Sequence, residues 1–244
     1  NFISLANANP AAQSISRDLL VGASAIFIWI VNESKKLKMK NFNKSNLQQE
    51  FNSFVCRYTS NLMTCFTEEM NVRILNLAQT LQEVWKKGDN VFICGNGGSA
   101  GNAIHIANDF IYGTANCGKG ITNKGLKVNA LTANPAVLTC LGNDIGYDNI
   151  FSYQLDTLAG PNDILIALSG SGNSSNIVSA INTAKQKGLE TFAILAFDGG
   201  KCKEIVDHPM HFEICDMQIA EDIQLIIGHL CMQWLSNNKP QLSE

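Results

Sequence analysis

The sequence predicts an α/β protein: a three-layer α-β-α arrangement around a five-stranded parallel sheet, preceded by two N-terminal helices. Two observations carry this. From residue 90 onward, apolar runs of strand length alternate with helical patterns, and such alternation implies a parallel sheet covered on both faces. Two of these runs, Val91-Phe92-Ile93-Cys94 and Asp163-Ile164-Leu165-Ile166-Ala167-Leu168, break into Gly/Ser turns followed by helical patterns. A strand, a Gly/Ser turn and a helix make an anion site, because free N–H groups and the positive helix end point at the ligand.

Each element follows from local signals. Ser45-Asn46-Leu47-Gln48 has the form of a capping box, and Phe51, Phe54, Val55, Tyr58 and Leu62 recur at helical spacing behind it. A second helix is expected over about 68–87, with Ile74, Leu75, Leu77, Ala78, Leu81 and Val84 inward, ended by Gly88-Asp89-Asn90. Strands are expected near 90–94, 127–131, 163–168, 191–195 and 210–215. Helices are expected near 102–112, 135–141, 150–158, 175–187 and 218–235. No solenoid repeat is present.

Composition narrows the class. The chain has 244 residues, of which 45% are hydrophobic, enough for one sizeable core with an extension. A net charge of −3 exerts no global pull toward nucleic acid or membrane. The basic run Lys35-Lys36-Leu37-Lys38-Met39-Lys40 reads either as a solvated helix end or as a binding patch. The eight cysteines form no Cys-x-x-Cys pair. Cys56, Cys65, Cys94, Cys140 and Cys231 sit in apolar contexts, as reduced core residues of a cytoplasmic protein do.

The start of the chain differs from the rest. It begins with Asn1, which suggests an incomplete or processed end, and Leu19–Val31 is an uncharged run of 13 residues. That is short of the roughly 20 residues that span a bilayer as a helix. A membrane segment or its remnant, a docked core helix and sequence foreign to the fold all remain open. A signal peptide fits poorly, because no basic stretch precedes the run and no small-residue cleavage site follows it. We place the boundary at Met39: residues 1–38 are an extension, and 39–244 are the domain, with no membrane association.

The phosphate-type turns need assigning. Gly95-x-Gly97-x-x-Ala100 formally matches a dinucleotide fingerprint, but the next strand, Val128-Asn129-Ala130-Leu131-Thr132-Ala133, carries no ribose-binding acid. No Gly-Lys-Ser/Thr is present, so no nucleotide cofactor is expected. The second turn has four serines, Ser169, Ser171, Ser174 and Ser175, and suits a phosphomonoester.

The motifs Cys94-Gly95-Asn96-Gly97-Gly98-Ser99, His105-x-x-x-Asp109, Leu141-Gly142-Asn143-Asp144, Ser169-Gly170-Ser171-Gly172-Asn173-Ser174 and Asp198-Gly199-Gly200-Lys201 occur in one order. In this combination the chain resembles the sugar isomerase (SIS) domain family, closest to the phosphoheptose isomerase group, over about residues 45–235. The resemblance implies a homotetramer with sites between subunits and a sedoheptulose 7-phosphate substrate. Its product would feed surface polysaccharide or lipopolysaccharide synthesis, with no direct nucleic-acid contact. Ser169, Ser171 and Ser174, with the amides around Gly170, Gly172 and Asn173, would hold the phosphate. Asn96 and Ser99, beside Gly97 and Gly98, would contact the sugar, and Asn143 and Asp144 would line the site.

Aldose–ketose isomerisation moves a proton between neighbouring carbons through an enediol, and needs a base near carbon and an acid near oxygen. The resemblance implies that Asp109 is the base, on the same helix face as His105. The family usually has glutamate there, so the reach here is about 1.5 Å shorter. In the last helix the family has a glutamine and, eight residues later, a histidine. Counted from Gln224, that position is Met232, which cannot donate a proton. His229 lies one turn earlier, about 60° round the helix, as a catalytic substitute or a polar residue at a subunit contact. Glu221 would be a further site carboxylate. Some family members use zinc; here His105, Asp109 and Gln224 would be its ligands. His208 and His211 read as structural. A non-catalytic SIS module, one that binds phosphosugars or associates with a replication initiator, is the alternative function.

Overall fold

The computed structural model describes residues 44–115 and 124–240. The apolar run at 19–31, the basic run and the boundary at residue 38 lie outside them. The chain divides into two units, Asn1–Cys56 and Arg57–Glu244. Helix α1 (Lys44–Thr64) crosses that division, and α2 (Glu68–Lys87) follows. Among the described residues no helix is long and apolar enough to cross a membrane.

Five strands form the sheet: β1 (Asn90–Gly95), β2 (Lys127–Ala130), β3 (Ile164–Ser169), β4 (Glu190–Leu195) and β5 (His208–His211). Their order is β2-β1-β3-β4-β5, with every neighbouring pair parallel. The helices between and after them are α3 (Gly98–Asn108), α4 (Pro135–Asp144), α5 (Ser152–Leu158), α6 (Ser175–Gln186), α7 (Gly200–Ile205) and α8 (Met217–Asn237).

The period of two in the strands divides the core. Val91, Ile93, Ile164, Ile166 and Leu168 face one layer, with residues of α2, α3 and α8. Phe92, Cys94, Leu165 and Ala167 face the other, with residues of α5, α6 and α7. A central strand buried on both faces must be apolar at successive positions, which is why β1 and β3 read as continuous runs. This is the expected three-layer α-β-α arrangement.

Three local expectations change. Helix α7 was not expected: it has six residues, starts at Gly199-Gly200 without a side-chain cap, and buries only Cys202. The last strand occupies 208–211 rather than 210–215, although Phe212 N–H still donates to Leu195 O at 2.9 Å. Leu75 is exposed, and so are Cys56 and Cys140, whereas Cys202 is buried with Cys94 and Cys231. Helix α2 fits its sequence closely. Thr67 Oγ1 accepts from Met70 N–H at 3.2 Å, and Gly88, at φ +76°, closes the other end.

Helices α3 and α8 meet at Gly228. A Cβ there would lie 2.6 Å from Ile106 Cγ1, so only glycine admits this approach. Overpacking of this kind costs about 1–3 kcal/mol. We expect Gly228→Ala to lower the urea midpoint by that equivalent and to lower activity with it; an unchanged midpoint would show that the helices separate freely.

Tyr58, near the end of α1, donates its hydroxyl to Asp222 Oδ2 of α8 at 2.6 Å. Burial, then the hydrogen bond and the charge of Asp222, push the Tyr58 phenol up to about 12. A phenol whose proton is held more tightly in the folded state adds stability that is complete below pH ~10 and is lost as pH rises toward ~12. Wild-type stability should therefore fall more steeply over that window than that of Tyr58→Phe, followed by urea unfolding at several pH values. Parallel profiles would rule out this linkage.

Candidate active site

The strand order reverses between β1 and β3, and in open parallel sheets the crevice at such a switch point binds ligands. Both Gly/Ser turns leave the carboxyl ends of these two strands. Helix α3 begins after Gly97, and α6 after Ser174, neither with a side-chain cap. The first-turn N–H groups of Ala100, Gly101, Ile177 and Val178 bond to preceding carbonyls, which leaves those of Gly98, Ser99, Ser175 and Asn176 for an anion.

The second turn is organised by its own hydroxyls. Ser169 Oγ accepts from Gly172 N–H at 3.1 Å and Ser171 Oγ from Asn173 N–H at 3.3 Å. Each hydroxyl that accepts in this way keeps its own proton to donate. Gly172 has φ +64°, and a Cβ on it would collide with Gly199 O. The Asp198–Lys201 turn packs against this loop: Lys201 N–H donates to Asn173 Oδ1 at 3.1 Å, and Cys202 N–H to Gly172 O at 2.9 Å. Gly170 lies beneath Met217, whose Sδ is 2.7 Å from where a Cβ would stand.

In the first turn, Asn96 and Asn176 exchange amide hydrogen bonds of 2.8 and 2.9 Å. Asn176 is 1% exposed. Ser99 is buried in the first turn of α3. Asn143 and Asp144 are exposed at the end of α4, with Asn143 Nδ2 donating to Asp144 Oδ1 at 2.8 Å.

A second cluster lies along α3 and α8. His105 Nε2 and His229 Nε2 are 3.0 Å apart, and each is 3.5 Å from Asp109 Oδ2. A hydrogen bond between the two rings requires one to donate and the other to accept. The Asp109 side chain is 16% exposed, against 49% and 40% for the two histidines. The shorter aspartate therefore does reach both imidazoles. Its N–H still bonds back into α3, and a wider π-helical turn, Asp109–Gly113, starts at this residue. Such turns are frequent at functional sites.

His229, rather than Met232, meets His105 and Asp109. Met232 packs against the core beside Gly113, where a Cβ would lie 3.4 Å from its Sδ. Gln224 is 1% exposed, and its Oε1 accepts from Asn102 Nδ2 at 3.2 Å, which also donates to Glu221 O at 2.9 Å. Glu221 places its carboxylate against the start of α3, where a Cβ on Gly98 would overlap it. Glu221 stands eight residues before His229, so the pair facing α3 at that spacing is 221 and 229, not 224 and 232. Eight residues of helix span about 12 Å, which sets Glu221 apart from the histidine cluster of its own chain.

His105, Asp109 and His229 present ligand atoms all within 4.8 Å of one another. Two imidazole nitrogens and a carboxylate oxygen are a donor set that zinc accepts, with a position left open for water or substrate.

Known proteins are similar to this chain in sequence and in fold. The family model described as SIS domain matches residues 56–196. A model described as a protein of unknown function, DUF2834, matches residues 1–47. A phosphoheptose isomerase of Clostridium acetobutylicum is 37% identical over 158 residues, 65% of this chain and 78% of the relative. One from Trichlorobacter lovleyi is 33% identical over 181 residues, 73% of this chain and 90% of the relative. Among solved structures, a phosphoheptose isomerase from Francisella tularensis agrees in fold with a TM-score of 0.72 at 22% identity, covering 78% of this chain and 98% of that one. A Neisseria gonorrhoeae phosphoheptose isomerase agrees at 0.68 and 24% identity, over 78% and 99%. The chain belongs to the SIS domain family and, within it, to the phosphoheptose isomerases.

Proposed function

We propose that the protein interconverts sedoheptulose 7-phosphate and D-glycero-D-manno-heptose 7-phosphate by proton transfer through an enediol. The observation that carries this is the His105–Asp109–His229 cluster. It offers a half-buried carboxylate as base beside two imidazoles that can hold or release a proton. Asp109 takes the proton from the carbon next to the ketose carbonyl. The electron pair left behind forms the enediol double bond, and the carbonyl oxygen receives a proton from an imidazole. Asp109 then returns its proton to the former carbonyl carbon, while the imidazole that gave up a proton takes the hydroxyl proton of the first carbon as the new carbonyl forms there, so the protein ends with no net change in protons.

In this reading the phosphate binds to Ser169, Ser171, Ser174 and the amides around Gly170 and Gly172. The inward use of Ser169 Oγ and Ser171 Oγ as acceptors leaves their protons for the ligand. Asn96, Ser99, Asn143 and Asp144 face the sugar chain. As an alternative to the imidazole proton donor, His105, Asp109 and His229 would hold a zinc ion, which would leave the second carboxylate oxygen of Asp109 as the base. That ion, when bound, would polarise the substrate's carbonyl oxygen.

The protein also acts as a homotetramer in this proposal. Ile104, Ile111 and Leu230, next to the cluster in sequence, are 46%, 49% and 44% exposed, an apolar surface suited to another subunit. The buried thiols of Cys94, Cys202 and Cys231 support a cytoplasmic location.

The purified 244-residue protein incubated with sedoheptulose 7-phosphate, with zinc and with chelator, should show a heptose phosphate product by NMR. Asp109→Asn and His229→Ala should each lower kcat at least about 100-fold. His229→Ala should also weaken zinc uptake measured by calorimetry, whereas Met232→Leu should leave both close to wild type. Turnover that survives Asp109→Asn would overturn the assignment of the base. Loss of turnover in Met232→Leu but not in His229→Ala would restore the other register.

A further inference from the structure

The turn between α4 and α5, which includes the short helical segment Tyr147–Asn149, has no place in the reading above, yet it touches both Gly/Ser turns. Tyr147 Oη donates to Asn96 Oδ1 at 2.9 Å. Ser175 Oγ, in the first turn of α6, donates to Asp148 Oδ1. Asn96 is in turn locked to Asn176 by the paired amide bonds. Two consecutive residues of this turn thus engage consecutive residues of α6, Asp148 directly at Ser175 and Tyr147 at Asn176 through Asn96. The closed network ties the exit of β1 to the exit of β3.

We infer that Tyr147 and Asp148 are positioning residues, a strap that fixes the sugar-side amide of Asn96 and the phosphate-side start of α6 relative to each other. This rests on the reading that the ligand's phosphate sits on the Ser169–Ser174 turn. The two residues do different work. Tyr147 supplies a second donor to Asn96 Oδ1, so the Asn96 amide cannot turn over without losing bonds on both sides. It thereby keeps an Asn96 N–H in a fixed direction for a sugar hydroxyl. Asp148 brings a carboxylate to a helix N-terminus that an anionic ligand also needs, and among the described residues it has no cationic partner. Its charge opposes the phosphate, while its hydrogen bond holds Ser175 in place.

The consequences separate by substitution. Asp148→Asn keeps an acceptor for Ser175 Oγ and removes the charge. The KM for sedoheptulose 7-phosphate and the inhibition constant for inorganic phosphate should both fall about threefold, as expected for relief of a solvent-screened like charge. Tyr147→Phe keeps the ring and removes only the donor. Its effect should fall on kcat, lowered about fivefold, the equivalent of one hydrogen bond, rather than on phosphate inhibition. Steady-state kinetics, phosphate competition and thermal melting of the wild type and both variants test this. A melting shift with unchanged kinetic constants in both variants would make the strap merely structural and overturn the inference. If Asp148→Asn does not fold, an unchanged kcat in Tyr147→Phe is enough to overturn it. A wild type whose turnover phosphate does not inhibit, and which binds no sugar phosphate, would remove the phosphate reading and the strap with it. Inhibition of the wild type with identical constants in Asp148→Asn would remove the strap's charge effect alone and leave the phosphate reading standing.

Discussion

The contact between α3 and α8 is the constraint on which the His105–Asp109–His229 cluster depends. Three of its features are coupled. Gly228 lets the two backbones approach against Ile106. Asn102 bridges the same pair through Glu221 O and Gln224 Oε1. One residue beyond Gly228, His229 then arrives 3.0 Å from His105. Side chains on neighbouring helices reach that distance only if the helices cannot slide, and a glycine contact with a buried amide bridge next to it prevents sliding. Gln224, which the resemblance offered as a ligand, stabilises the helix pair that carries the His105–Asp109–His229 cluster.

The parallel sheet is the frame for the second half of the site. Placing β1 next to β3 brings two turns together that are far apart in sequence, with α3 and α6 starting on opposite layers. The Asn96–Asn176 amide pair spans that join, with Asn176 almost fully buried. A buried amide left unpaired is costly, so each asparagine requires the other. The Gly172 turn is held from a third direction by Gly199 and Cys202. The short helix α7 is therefore part of the support for the Ser169–Ser174 turn, although its own apolar content is too small to announce it.

Much of this was legible in the sequence, for identifiable reasons. β1 and β3 are buried on both sides and so read as unbroken apolar runs, and the glycines and serines after them have few other uses. His105 and Asp109 share one helix, so their spacing alone places them on one face. The residues that escaped reading depend on contacts between elements. Register along α8 was one of these: counting eight from a glutamine selected Met232, but only packing on α3 decides which ridge of the helix faces the site. Helix α7 was missed because six residues opened by two glycines carry no helical period. Leu75, Cys56 and Cys140 looked apolar in context, but local context does not reveal which face of a helix meets a neighbour.

The two ends of α8 make unlike contributions for a physical reason. Glu221 sits against the N-terminal turn of α3, where the positive end of the helix favours a carboxylate. His229 sits near the C-terminal end of α3, where a cationic or proton-donating ring is favoured instead. Antiparallel docking of α8 along α3 would reverse this, but here the carboxylate of α8 comes before its histidine just as the start of α3 comes before its end. The dipole of α3 thus matches the order of carboxylate and imidazole along α8. The same sequence slid by one turn would put Gln224 or Leu225 against the turn at Gly98 and bring Met232 or Gln233, respectively, toward Asp109. The order of carboxylate and imidazole along α8 and the glycine contact at 228 therefore select one register together, and that register is the one that brings His229 to His105 and Asp109.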